Sequence, residues 1–95
     1  MQPNRNGFTD LDAGVAAEVR SDIARMKNVS VSSIAEALGI RRATLSARVN
    51  AHVPFAPSLL SAVAAHLGTT ASEIVARAER ALAEGERESE MARAS

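Results

Sequence analysis

Residues 34–50, IAEALGIRRATLSARVN, constrain the fold of this chain more than any other stretch. They hold two short apolar-faced segments hinged at a single glycine, Gly39, and the second segment opens with the pair Arg41-Arg42. Two helices that meet at a steep angle, instead of folding back as a hairpin, need a small residue where they cross, and Ala35 is one. The turn between them needs left-handed backbone, which Gly39 adopts without a Cβ penalty. The corner must also be pinned to a core, and Ile34, Leu38, Ile40 and Leu45 are available for that. Together these features describe a helix-turn-helix.

The flanking sequence reads as further helices. From Thr9 or Asp10, either of which can cap, the apolar residues Leu11, Val15, Val19, Ile23 and Met26 recur at steps of 4, 4, 4 and 3, a helical stripe closing near Lys27 and Asn28. Asp10 and Asp12 at its start and Arg25 and Lys27 at its end complement the helix dipole. Ser30, with Ser33 three residues on, caps the second helix, and Gly39 stops it. The third runs from Arg41 or Arg42 to Asn50, with Leu45 and Val49 one turn apart and facing inward. Val53-Pro54 and Ala56-Pro57 force extended backbone, and Pro57 suits the first position of a fourth helix whose stripe is Leu59 or Leu60, Val63, Ala64 and Leu67, ending at Gly68.

The sequence TASE, Thr70 to Glu73, is a capping box for a fifth helix that carries Ile74, Val75, Ala78 and Leu82 inward and frays near Gly85. Its outer side offers two i,i+4 pairs, Glu73 with Arg77 and Arg80 with Glu84. The expected organisation is therefore a flexible arm over residues 1–8, an all-α, compact five-helix domain over 9–84, and a charged tail over 85–95 that is disordered or weakly helical.

Ninety-five residues make one domain, and with two Phe and no Tyr or Trp its core must be aliphatic. The absence of cysteine excludes disulfides, thiolate metal sites and a thiol nucleophile. Neither a signal peptide nor a membrane-spanning run is visible, so a cytoplasmic location, without membrane contact, is expected. His52 and His66 lie too far apart, and without acidic or Cys partners in ligand spacing, to suggest a metal, and no cofactor is expected. No phosphate-cradling glycine loop, nucleophile–base pair or carboxylate pair is present, which argues against an enzyme. The 11 basic and 11 acidic residues balance overall but not locally. Between Arg20 and Phe55 stand six basic residues against Asp22 and Glu36, whereas from Glu84 onward four acidic residues face Arg87 and Arg93. The middle of the chain suits a polyanion, and the tail would avoid one.

The order Ser30, Ile34 to Ile40, Thr44-Leu45-Ser46, Pro57, Leu60, Val63, Leu67-Gly68 and Ile74 resembles the Xre/Cro type, or lambda-repressor-like, family of bacterial and phage DNA-binding domains, over roughly residues 15–78. Two departures stand out. Arg41 occupies the place where the family often has a capping Ser or Thr, and Arg48-Val49 replaces a large apolar residue followed by Glu. Val49 is expected to take over the packing role, leaving Arg48 to solvent or phosphate.

The resemblance implies sequence-specific binding of double-stranded DNA by a transcriptional regulator, a repressor or Cro-like protein, with the third helix in the major groove. Transferred by position, Arg41, Arg42, Ala43, Ser46 and Ala47 become the base-contacting face. Arg pairs bidentately with guanine, Ser bonds either kind of edge, and Ala packs on a thymine methyl. Arg42 is the foremost candidate for specificity. Phosphate contacts are expected from Ser30, Ser32 and Ser33 at the start of the second helix and from Lys27, Arg48 and Asn50. The serines serve equally as helix caps, and Lys27 and Arg48 equally as solvated surface. Many relatives carry Gln where this chain has Val31, which removes one contact. One such module binds weakly alone, so a homodimer on a palindromic operator is expected, with Val75, Ala78 and Leu82 of the fifth helix as its surface, unless those residues are used by the core. The alternative is an antitoxin-like or adaptor module whose C-terminal helix binds a protein partner.

Overall fold

The computed structural model describes residues 9–94, which form α1 (Asp10–Arg25), α2 (Val31–Leu38), α3 (Arg42–Val49), α4 (Pro57–His66) and α5 (Ala71–Ala94), with no strand among them. This is the all-α, lambda-repressor-like architecture with a helix-turn-helix at α2–α3. The arm expected over residues 1–8 lies outside the described residues.

Local chemistry explains where the helices begin. Thr9 caps α1 through a reciprocal box, in which Asp12 N–H donates to Thr9 Oγ1 at 3.2 Å and Thr9 N–H donates to Asp12 Oδ2 at 2.8 Å. Ser30 and Ser33 do the same for α2, with Ser33 N–H to Ser30 Oγ at 3.0 Å and Ser30 N–H to Ser33 Oγ at 2.8 Å. Pro57 occupies the first turn of α4, where its missing N–H costs no hydrogen bond. At α5, Glu73 N–H donates to Thr70 Oγ1 at 3.1 Å, while the Glu73 carboxylate lies 3.6 Å from Arg80.

The turn that aims α3 forms as expected. Gly39 sits at φ 69°, ψ 30°, and Ile40 N–H reaches back to the Ala35 carbonyl at 3.0 Å. Ile34, Leu45, Val63 and Ile74, all with no exposed surface, join Val19 in a core shared by all five helices. At roughly 25 cal/mol per Å2 of apolar surface, each such side chain contributes about 1.5–3 kcal/mol.

α1 packs most extensively on α5. The close approach depends on Gly14, where a Cβ would stand 3.3 Å from the Ala78 Cβ. Ala78 is 1% exposed, so it is used by the core of its own chain and does not belong to an outer dimer surface. The end of α5 also differs from expectation. The helix runs through Gly85 to Ala94 as one 24-residue element, about 36 Å long. One glycine costs only about 1 kcal/mol, and the surrounding Ala, Glu and Arg are strong helix formers that outweigh it. Residues 83–92 are exposed throughout.

Candidate nucleic-acid interface

Whether α3 presents its outer side depends on how it is anchored. Leu45 and Val49, 0% and 3% exposed, turn one face into the core, and that fixes the opposite face outward. Arg41 is the N-cap residue and makes no side-chain capping bond, so the departure from the family pattern leaves the first amides of α3 uncovered. Arg41, Arg42 and Ala43 are exposed, and Ser46 and Ala47 are half-buried. Ser46 Oγ accepts from Asn50 Nδ2 at 3.0 Å, so these two candidates form one unit along the helix.

Arg42, the first residue of α3, reaches back to the start of α2, where its Nε donates to Ser32 Oγ at 2.8 Å. The two candidate sets, base-contacting and phosphate-contacting, therefore meet at this pair. Ser32 and Ser30 are exposed, while Ser33 is half-buried and its hydroxyl is already engaged with Ser30. Lys27 is exposed in the turn after α1.

Arg48 departs from its expected role. It is half-buried, its Nη1 donates to the Thr44 carbonyl of its own helix at 2.7 Å, and its Nε is buried without a partner. Val49 takes the packing position as expected, but Arg48 folds back along the helix instead of standing free in solvent.

The far end of α3 is held from outside the motif. Arg20 of α1 donates from Nη1 to the Val49 carbonyl at 2.6 Å, a cation at the negative end of a helix dipole. Beyond it Asn50 closes the helix and Ala51 adopts φ 64°, with His52 N–H returning to the Ala47 carbonyl at 2.8 Å. Sequence periodicity gives no sign of the Arg20 contact, because the two residues lie 29 positions apart.

A second polar cluster lies behind α1. Asp22 is only 6% exposed, and its carboxylate accepts from Arg77 Nη1 at 3.0 Å and Arg77 Nη2 at 2.7 Å, with Arg25 also bonded to Oδ1. Glu18 stands 3.4 Å from Arg77. The Arg77 hydrogen bonds hold the Asp22 carboxyl below the ordinary carboxylate range, against the opposing effect of burial, and the charges of Arg77 and Arg25 add to them. Asp22 in turn raises the Arg77 guanidinium above its usual value. The expected Glu73–Arg77 pair is thus replaced by Asp22–Arg77 across the α1–α5 interface. One signal was available: Asp22 follows Val15 and Val19 on the buried stripe of α1, where a lone carboxylate requires a partner.

Of the other residues considered for an interface between copies, Val75 is half-buried in an apolar groove of about 490 Å3 lined also by Leu11, Val15, Phe55 and Leu60. Leu82 is half-buried further along α5. Among the described residues, no single helix is long and apolar enough to cross a membrane.

No family model and no curated protein sequence matches the chain. Among solved structures it is similar to the clp gene regulator ClgR from Corynebacterium glutamicum, at 25% sequence identity and a TM-score of 0.74, with 88% of each chain covered. The chain therefore shares its overall fold with a gene regulator.

Proposed function

We propose that this chain is a sequence-specific DNA-binding transcriptional regulator of the Xre/Cro type, a repressor or Cro-like protein of a bacterium or phage, acting in the cytoplasm. The observation that carries the reading is the exposed Arg41-Arg42 pair at the uncapped start of α3, the second helix of the helix-turn-helix. Two cations at the positive end of a helix dipole are unfavourable for stability, by about 0.3–1 kcal/mol each, and a polyanion offsets that cost. The similarity to a gene regulator supports the same reading.

In this reading α3 enters the major groove of a palindromic operator. Arg42 pairs with a guanine, Arg41 reads a base or holds phosphate, Ala43 and Ala47 meet thymine methyls, and Ser46 bonds a base edge. Ser32 and the amides at the start of α2 take phosphate, and Lys27 and Asn50 supply further phosphate contacts. Val75 and Leu82, once Ala78 is assigned to the core, are the residues left for a homodimer contact on α5.

Random-site selection with the purified chain tests this directly. A preferred duplex should emerge, and its affinity should fall with salt at a slope of about 0.9 per phosphate neutralised. Arg42→Ala should relax the preference at one base pair of each half-site, worth about 1–3 kcal/mol. Selection of no sequence, or an unchanged preference in Arg42→Ala, would refute the assignment. A second reading, a protein partner on the C-terminal helix as in an antitoxin or adaptor, is favoured by the exposed last turns of α5, where Met91 is 68% exposed. It is compatible with DNA binding by α3.

A further inference from the structure

The hydrogen bond from Arg42 to Ser32 bears on how the proposed contact with guanine is made, and its significance rests on that contact. We infer that Ser32 is a positioning residue for Arg42: its hydroxyl oxygen holds the guanidinium by Nε so that the outer Nη1–Nη2 edge is presented to a base before DNA arrives.

A guanidinium is planar, with five N–H donors in a rigid fork. An acceptor on Nε therefore orients the whole group. Ser32 Oγ lies 2.8 Å from Nε, and among the described residues neither Nη atom of Arg42 has a hydrogen-bond partner. The edge left open is the pair of parallel donors that a guanine O6 and N7 accept. Without Ser32 the side chain would sample many rotamers and be pushed away from the start of its own helix and from Arg41 by like partial charge. An immobilised long side chain forfeits about 0.5–1.5 kcal/mol on binding, equivalent to roughly two- to tenfold in affinity, and a preformed anchor removes part of that loss.

Ser32 is well placed for the role because α2 does not need it. The capping box of that helix is made by Ser30 and Ser33, and Ser32 is exposed. Its own O–H also remains available, since the oxygen is the acceptor in the contact with Arg42. A single hydroxyl at the start of α2 thereby links the helix assigned to the DNA backbone with the side chain assigned to the base.

The test uses the full chain with the duplex obtained by selection, a set of its single base-pair variants, and an unrelated duplex. Ser32→Ala should lose roughly two- to tenfold of discrimination at the same base pair where Arg42→Ala acts, over and above the uniform weakening of all duplexes that loss of its phosphate contact brings. Ser32→Thr, which keeps the acceptor, should restore the discrimination, and Ser32→Ala with Arg42→Ala should discriminate no less than Arg42→Ala alone. In the free protein, the Arg42 Nε–H signal in a nitrogen-correlated NMR spectrum should be protected from exchange and lose that protection in Ser32→Ala. If Ser32→Ala weakens all duplexes alike with discrimination intact, Ser32 is a phosphate ligand only and the inference is overturned while the reading of Arg42 stands. If Arg42→Ala itself leaves the preference unchanged, the reading of α3 fails and the inference falls with it.

Discussion

Asp22 offers the sharpest test of what holds α1 to α5. Its carboxylate is 6% exposed and accepts two hydrogen bonds from Arg77 and one from Arg25. Asp22→Ala removes these and leaves the Arg77 guanidinium, whose side chain is 23% exposed, with Glu18 at 3.4 Å as its remaining partner. Breaking a buried pair from one side typically costs about 3–5 kcal/mol, and the partial access of Arg77 to water and to Glu18 brings the expectation to about 2–3 kcal/mol. For a domain of this size that is a fall of about 8–24 °C in Tm, read by thermal scans, with the free energy itself read by urea unfolding at pH 7.

The same site carries a pH signature. Because the folded-state pKa of Asp22 is lowered, its contribution is fully present above the unfolded-chain value of about 3.9 and is lost as pH falls through that value toward the folded one. In Asp22→Asn this part of the stability curve should flatten, since no proton is taken up there. Replacing both partners, Asp22→Leu with Arg77→Met, should recover most of the loss, because apolar residues of similar size fill such sites without a desolvation penalty. A loss below about 0.5 kcal/mol in Asp22→Ala, or parallel acid curves for the parent and Asp22→Asn, would refute the reasoning.

Backbone and packing give three more expected outcomes. Ala51 holds a left-handed conformation that costs a residue with a Cβ about 1–2 kcal/mol, so Ala51→Gly should raise stability by about 0.5–1 kcal/mol once glycine's greater unfolded freedom is deducted, as read by urea midpoint. Gly14→Leu should lower stability by about 1–3 kcal/mol in the same assay, because even a Cβ there stands 3.3 Å from that of Ala78. Gly85→Ala, where a Cβ meets nothing within 4 Å, should increase helical ellipticity at 222 nm while leaving the cooperative unfolding midpoint nearly unchanged.

What the sequence disclosed was whatever depends on neighbours within a turn or two. Ser30 with Ser33 and Leu45 with Val49 are relations across three or four residues, and both form as read, as does the left-handed turn at Gly39, while Thr9 takes the cap for which Thr9 and Asp10 were both open. The misreadings have two physical sources. One is competition between local terms: Gly85 has the chemistry of a stop, but the helix formers around it decide the outcome. The other is distance along the chain. Asp22 and Arg77 are 55 residues apart, and their pairing displaces the local Glu73–Arg77 pair that spacing alone favours. Ala78 is a small residue whose size acquires meaning only opposite Gly14. The outward face of α3 was legible because its inner face was. The hold of Ser32 on Arg42, and that of Arg20 on the end of α3, were not.

The basic residues of the middle stretch show why a charge count is an incomplete guide to a polyanion surface. Arg25 is bonded to Asp22, so the acidic residue of α1 that offsets the excess within that stretch is screened by its own ion pairs. Arg20 and Arg48 donate instead to main-chain carbonyls, of Val49 and Thr44, and a carbonyl fixes a guanidinium in place without cancelling its charge. Both therefore still contribute to the field that draws in a polyanion, although neither is free to follow a phosphate. Arg41 and Arg42 differ from them, being exposed at the one helix start in the motif that no side chain caps. In the proposed complex Arg20 and Arg48 would add to long-range attraction alone, whereas Arg42 would also recognise a base, so raising the salt should weaken binding to every sequence, while only changes at α3 and at its anchor on α2 should alter which sequence is preferred.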